Sequence, residues 1–144
     1  MPTGPTLGAE QLAALGAGFT GELVEPGASG YDTVRRVHNG MIDRRPALIA
    51  RCRNATDVAA AVKFARASGL EISVRGGGHN VAGRAVIDDA LMVDLSLLKG
   101  IYVDPDARTA RAQGGVLWAS STARPTRTAS PSPAARSPRR ASPG

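Results

Sequence analysis

Aromatic side chains are scarce in this chain: two Phe, two Tyr and one Trp among 144 residues. Any core must therefore be built from Val, Leu, Ile and Ala, and the length allows one domain at most. Cys52 is the single cysteine; this excludes an internal disulfide framework and fits a reducing, cytoplasmic compartment. No apolar run approaches the length of a membrane span. The start, Met1-Pro2-Thr3-Gly4-Pro5, lacks the basic and apolar regions of a secretory signal. Residues 119–144 contain five Arg and no acid, with six Ser, five Pro and no Val, Leu, Ile or aromatic residue. Such a segment cannot bury enough apolar surface to offset its conformational entropy, so it is expected to be disordered. Setting its five arginines aside leaves 13 basic against 12 acidic groups, so the net charge of +6 falls to +1 for residues 1–118. The body is near neutral, which argues against a nucleic-acid footprint there, and no membrane partner is expected.

What is present reads as alternating elements. Residues 8–19 carry Leu12, Leu15 and Phe19 at helical spacing. Glu22-Leu23-Val24 is a short apolar patch, and Tyr31 to Val37 reads as a helical turn broken by Asn39-Gly40. In that turn His38 and Asn39 read as ordinary loop polar groups. Pro46 to Cys52 reads as a buried strand with Pro at its tolerated first position, and Cys52 as a packed thiol. Asn54-Ala55-Thr56-Asp57 opens the strongest helix, with Asn54 or Thr56 as cap. Val58, Ala61, Val62 and Ala65 form its apolar stripe, and Gly69 stops it. With the apolar run Leu70 to Val74, residues 47–75 form one βαβ unit with parallel strands. After Gly83, Leu91–Leu95 and Gly100–Val103 read as strands, with Asp94 as a strand-end anchor. Asp104-Pro105-Asp106 is a turn, and Arg108–Ala112 is expected to return antiparallel. Trp118 reads as a core aromatic. The fold class expected is α+β.

The first strand after the helix breaks into Arg75-Gly76-Gly77-Gly78-His79-Asn80-Val81-Ala82-Gly83. Three residues without Cβ reach φ > 0 and leave N–H groups exposed, a nest suited to a diphosphate. A plain glycine turn explains the glycines alone, since the pattern is neither G-x-G-x-x-G nor a P-loop. His79 adds a group able to serve as ligand, base or nucleophile. The loop also falls at the carboxyl end of a parallel strand, where open α/β sheets bind ligands.

This loop, with Gly83 and Met92-Val93-Asp94-Leu95-Ser96, resembles the FAD-binding domain of the p-cresol methylhydroxylase type, and within it the berberine-bridge-like oxidases. The resemblance spans about residues 19–118, leaving 1–18 as an N-terminal segment and 119–144 as the tail. It implies FAD as cofactor, held by Arg75, Gly76, Gly77, Gly78, His79, Asn80, Val81 and Gly83. It implies, for the complete protein, a covalent link from His79 to the flavin 8α-methyl, which raises the flavin potential. It implies an oxidase in which a small-molecule substrate loses hydride to flavin N5 and oxygen reoxidises the flavin. The family's substrate domain and catalytic bases follow the matched stretch, so no catalytic base is assigned here, no metal is implied, and the chain alone is expected to be inactive. Cys52 does not correspond to the family's second flavin-linking cysteine. Ala90 stands where the family usually has glycine, which implies a tighter turn.

Two other readings remain open: a basic-tailed protein binding nucleic acid or acidic partners, and a non-functional truncated fragment. The tail is also expected to be a reading-frame artefact. Restoring one guanine after the Trp118 codon turns codons 119–135 into a stretch with Glu-Leu-Asp, His-Gly-Leu-Ala and Pro-Gly-Gly, which resembles the family's continuation.

Overall fold

The computed structural model describes residues 7–117; the expectations for Trp118 and for the tail lie outside the described residues. Three helices and three strands lead up to the glycine loop in the order α1 (Ala9–Ala17), β1 (Glu22–Val24), α2 (Tyr31–Val34), β2 (Leu48–Arg51), α3 (Ala55–Ser68) and β3 (Ile72–Arg75), α1 and α2 being short. Beyond the loop lie β4 (Leu91–Asp94), β5 (Ile101–Asp104) and β6 (Thr109–Ala112).

The main sheet has the order β1-β2-β4-β3, with β1 antiparallel and the other three parallel. The two strands of the expected βαβ unit are parallel but not neighbours, because β4 lies between them. The reason is composition. All four residues of β4 are buried, whereas Val74 on β3 is 54% exposed. An uninterrupted apolar run belongs in a sheet covered on both faces, and the mixed Ile72-Ser73-Val74-Arg75 belongs at its edge. As expected, β5 and β6 form a separate antiparallel pair.

One face of the sheet packs Leu48, Ala50, Cys52, Leu91 and Val93 against Leu15 of α1 and Ala61 and Ala65 of α3. The other face packs Ile49 and Met92 with Val24, Tyr31 and Val86, and Tyr31 donates its hydroxyl proton to the Pro46 carbonyl at 2.6 Å. α3 begins and ends as expected. The Asn54 side chain accepts the Asp57 N–H at 2.8 Å, and Gly69 is left-handed at φ 65°.

The stripe on α3 differs in detail, since Asp57 is fully buried on it while Val62 is only partly so. The Asp57 carboxylate accepts the Thr20 N–H (2.9 Å), the Thr20 hydroxyl (2.8 Å) and the Arg53 N–H (2.9 Å). It thus joins the entry of β1, the exit of β2 and the start of α3. Burial pushes this carboxyl upward, but the hydrogen bonds from Arg53 and Thr20 outweigh burial and hold it below its ordinary value. At the turn before β4 the left-handed residue is Asp89 (φ 57°), not Ala90. Ala90 is buried and its carbonyl accepts from Ala47 and Leu48.

Candidate flavin site

Four charged residues share one row at the carboxyl end of the sheet, in register Glu22, Arg51, Asp94, Arg75 from β1 to β3. Asp94 is fully buried and lies 3.3 Å from Arg51 Nε and 3.8 Å from an Arg75 terminal nitrogen. It also accepts the Ser96 N–H at 3.0 Å, so it anchors the strand end as expected. Arg75 turns inward and donates to the Val34 carbonyl at 2.8 Å. Its Nε is buried without a hydrogen-bond partner among the described residues. The guanidinium therefore sits beneath the loop as fixed positive charge, tied to α2 and the sheet.

Above that row β3 ends and the glycines begin. Of the three, only Gly78 has positive φ, at 74°; Gly76 and Gly77 are small for other reasons. A Cβ on Gly76 would stand 2.5 Å from the Gly114 carbonyl oxygen, so this glycine admits the second glycine turn, Gly114-Gly115, against the first. A Cβ on Gly77 would stand 3.0 Å from both His79 Cδ2 and Leu117 Cδ2. Among the described residues, the backbone N–H groups of Gly77, Gly78, His79, Asn80 and Val81 donate to no hydrogen bond within the chain. His79, Asn80 and Val81 are exposed, Val81 at 94%. A run of unpaired amides around a left-handed glycine is an anion nest, and a diphosphate fits that donor set.

The remaining positions close the loop. Asn80 accepts the Arg84 N–H through its side chain (3.2 Å) and the Gly83 N–H through its carbonyl (3.1 Å), so it shapes the turn. Gly83 packs on Ile42, 2.7 Å from where its Cβ would be. His38, on sequence an ordinary loop polar group, belongs to this site. Its N–H donates to the Gly78 carbonyl at 2.9 Å, and its ring lies 4.4 Å from that of His79, tilted by 40°. No spacing rule links positions 38 and 79, so only the fold could bring them together.

An open groove borders the loop, lined by Met41, Ile42, Arg44, Gly83, Val86 and Ile87 among others. Its walls are joined by Asp88, which pairs with Arg44 at 2.7 Å and accepts the Arg45 N–H at 2.6 Å. Hydrogen bonds from Arg44 and Arg45 hold the Asp88 carboxyl below its ordinary value. Arg35 ties Asp32 to Asp43 and to the Arg44 carbonyl. Cys52 lies on the helix-covered face, away from the loop, and burial, helped by Asp57 and Asp94, pushes its thiol up to about 12. Among the described residues no cluster of three or more His, Cys, Asp or Glu could hold a metal, and no helix is long and apolar enough to cross a membrane.

A sheet ending in a glycine nest beside a histidine is a site for an anionic ligand, and comparison makes the class explicit. Residues 46–134 match the FAD binding domain family, and the chain belongs to it. The match runs past Trp118 into the stretch for which a shifted frame was expected. (R)-6-hydroxynicotine oxidase of Paenarthrobacter nicotinovorans is 45% identical over 97 residues, covering 67% of this chain and 21% of that protein. The crystal structure of 6-hydroxy-D-nicotine oxidase from Arthrobacter nicotinovorans superposes with a TM-score of 0.65 at 45% identity, over 68% of this chain and 22% of that one. Glucooligosaccharide oxidase of Acremonium strictum, with a 6-S-cysteinyl, 8α-N1-histidyl FAD, superposes with a TM-score of 0.66 at 33% identity, over 74% and 22% of the two chains. The chain thus spans about a fifth of the length of the curated relatives it matches. The berberine-bridge-like resemblance, the α+β fold and FAD as the family's cofactor are borne out, and the comparisons favour the flavin reading over the nucleic-acid one.

Proposed function

We propose that this chain contributes the diphosphate-binding loop and the flavin-linking histidine of an oxygen-dependent FAD-linked oxidoreductase. The carrying observation is the run of unpaired amides from Gly77 to Val81 around left-handed Gly78. These amides would hold the diphosphate, with Gly76 and Gly83 keeping the backbone close and Asn80 holding the turn. Arg75 supports from below, its charge stabilising the anion without a direct contact. His79, exposed at the loop's rim, would carry the covalent link to the 8α-methyl. When bound, FAD supplies the acceptor for hydride from a small-molecule substrate and passes the electrons to oxygen.

The partial domain would run from 19 to 118 with α1 docked on α3, in a cytoplasmic protein. The shifted frame after Trp118 is likewise a proposal. The family match reaching residue 134 weighs against it, and resequencing the coding DNA across that codon decides it.

The function is tested by incubating the purified chain with FAD. Wild type should retain flavin, and a fluorescent band should survive a denaturing gel. His79→Ala should keep reversible binding but lose the band. A band persisting in His79→Ala would move the linkage elsewhere, and no retention by wild type would remove the loop as a self-sufficient site.

A further inference from the structure

We propose that His38 is a positioning residue for His79: its ring holds the His79 imidazole in the orientation needed for flavin linkage. This rests on the reading of His79 as the linking residue.

His79 makes no side-chain hydrogen bond among the described residues and lies on an exposed loop. A histidine so placed samples several rotamers, and only some aim a ring nitrogen at a bound partner. Two contacts restrict it. The ring edge rests over Gly77, where a Cβ would be 3.0 Å from His79 Cδ2. The ring face meets His38 at 4.4 Å between centroids.

The His38 contact follows from the backbone. His38 N–H is bonded to the carbonyl of Gly78, the residue before His79, so the two α-carbons are held in a set relation. Val37, on one side of His38, packs on the second core. Asn39, on the other, closes a turn by accepting the Met41 N–H (3.0 Å) and the Ile42 N–H (3.0 Å). The element bearing His38 is thus fixed independently of His79. Forming the link would break one C–H bond of the 8α-methyl and the imidazole N–H and make one C–N bond; the two protons and two electrons released would reduce the flavin, which oxygen would reoxidise. The protein's part in that step is to hold a ring nitrogen in place, which is the gain from preorganisation.

The test uses the full chain carrying His38→Ala or His38→Phe; Phe keeps an aromatic face and has no ring nitrogen. Without FAD, the His79 ring-proton NMR shifts should move in His38→Ala and keep a neighbouring-ring displacement in His38→Phe. With FAD, covalent incorporation should slow about 2- to 10-fold in His38→Ala, the size expected of one aromatic contact, and stay near wild type in His38→Phe. Unmoved His79 shifts in His38→Ala would overturn the proposal, as would equal slowing in both variants, which would assign a ring nitrogen to proton transfer instead. If wild type takes no covalent flavin while the shifts respond as expected, the contact stands and the linkage reading fails.

Discussion

Gly76→Ala and Gly78→Ala are expected to fail for different reasons. At Gly76 the new methyl meets a backbone oxygen at 2.5 Å. Backbone cannot swing aside as a side chain does, so we expect a loss of roughly 1–3 kcal/mol from overpacking. At Gly78 there is room, with neighbours at 3.4–3.5 Å, but φ of 74° costs an L-residue about 1–2 kcal/mol. The loop can relieve that strain by rotating the amides on either side, so FAD affinity should fall more than stability does. Urea midpoints and FAD titrations of both variants separate the two effects. Wild-type affinity in Gly78→Ala would mean that these amides do not hold the diphosphate. The triple glycine was legible as a close-approach turn. Which glycine needed which freedom was not, because that depends on Gly114, Leu117 and His38 arriving from elsewhere in the chain.

Among the elements, α3 was read nearly whole because its signals are local: a cap at Asn54, a left-handed stop at Gly69 and an apolar stripe between them. The order of the strands was not local. The apolar run Leu91-Met92-Val93 of β4 already carried the information, and the placing of β4 between β2 and β3 follows from it, with the buried Asp94 at its end paired to Arg51 and Arg75. Asp57 escaped because an acid in a first helical turn usually faces water and the helix dipole, whereas here it serves three donors from two other segments. Its folded carboxyl is lowered, so the stability it contributes is full above the ordinary value of 3.8 and is lost as pH falls through the folded value. Asp57→Asn turns one acceptor oxygen into a donor facing other donors, at a cost of about 1–3 kcal/mol near neutral pH. Its stability should also fall less steeply on acidification than that of wild type. Urea midpoints measured from neutral pH into the acid range check this. Curves that run parallel would remove Asp57 as a source of the acid dependence.

At the scale of the whole molecule, two surfaces stand open. The sheet ends on β3, which pairs with β4 on one side and with no strand on the other among the described residues. The opposite edge, β1, has three residues and carries Glu22; β3 has four and offers Ile72 and Val74, the latter 54% exposed. The β5–β6 hairpin adds Tyr102 at 79% and Val103 at 49% exposure. A two-stranded sheet alone is marginal in water. This one is tied to the body by the Gly115 N–H to the Leu98 carbonyl at 2.9 Å and by the seating of Gly114 against Gly76. An unpaired edge with β-branched side chains is a template for other chains, so the purified 144-residue chain should associate in a concentration-dependent way. A lysine placed on that edge keeps the strand but adds a charge that a docking strand would have to bury. Val74→Lys should therefore shift sedimentation toward monomer while changing stability by less than about 1 kcal/mol, within the range set by strand propensity at an exposed site. If association persists unchanged in Val74→Lys but disappears in Tyr102→Lys, the hairpin and not the β3 edge is the adhesive surface.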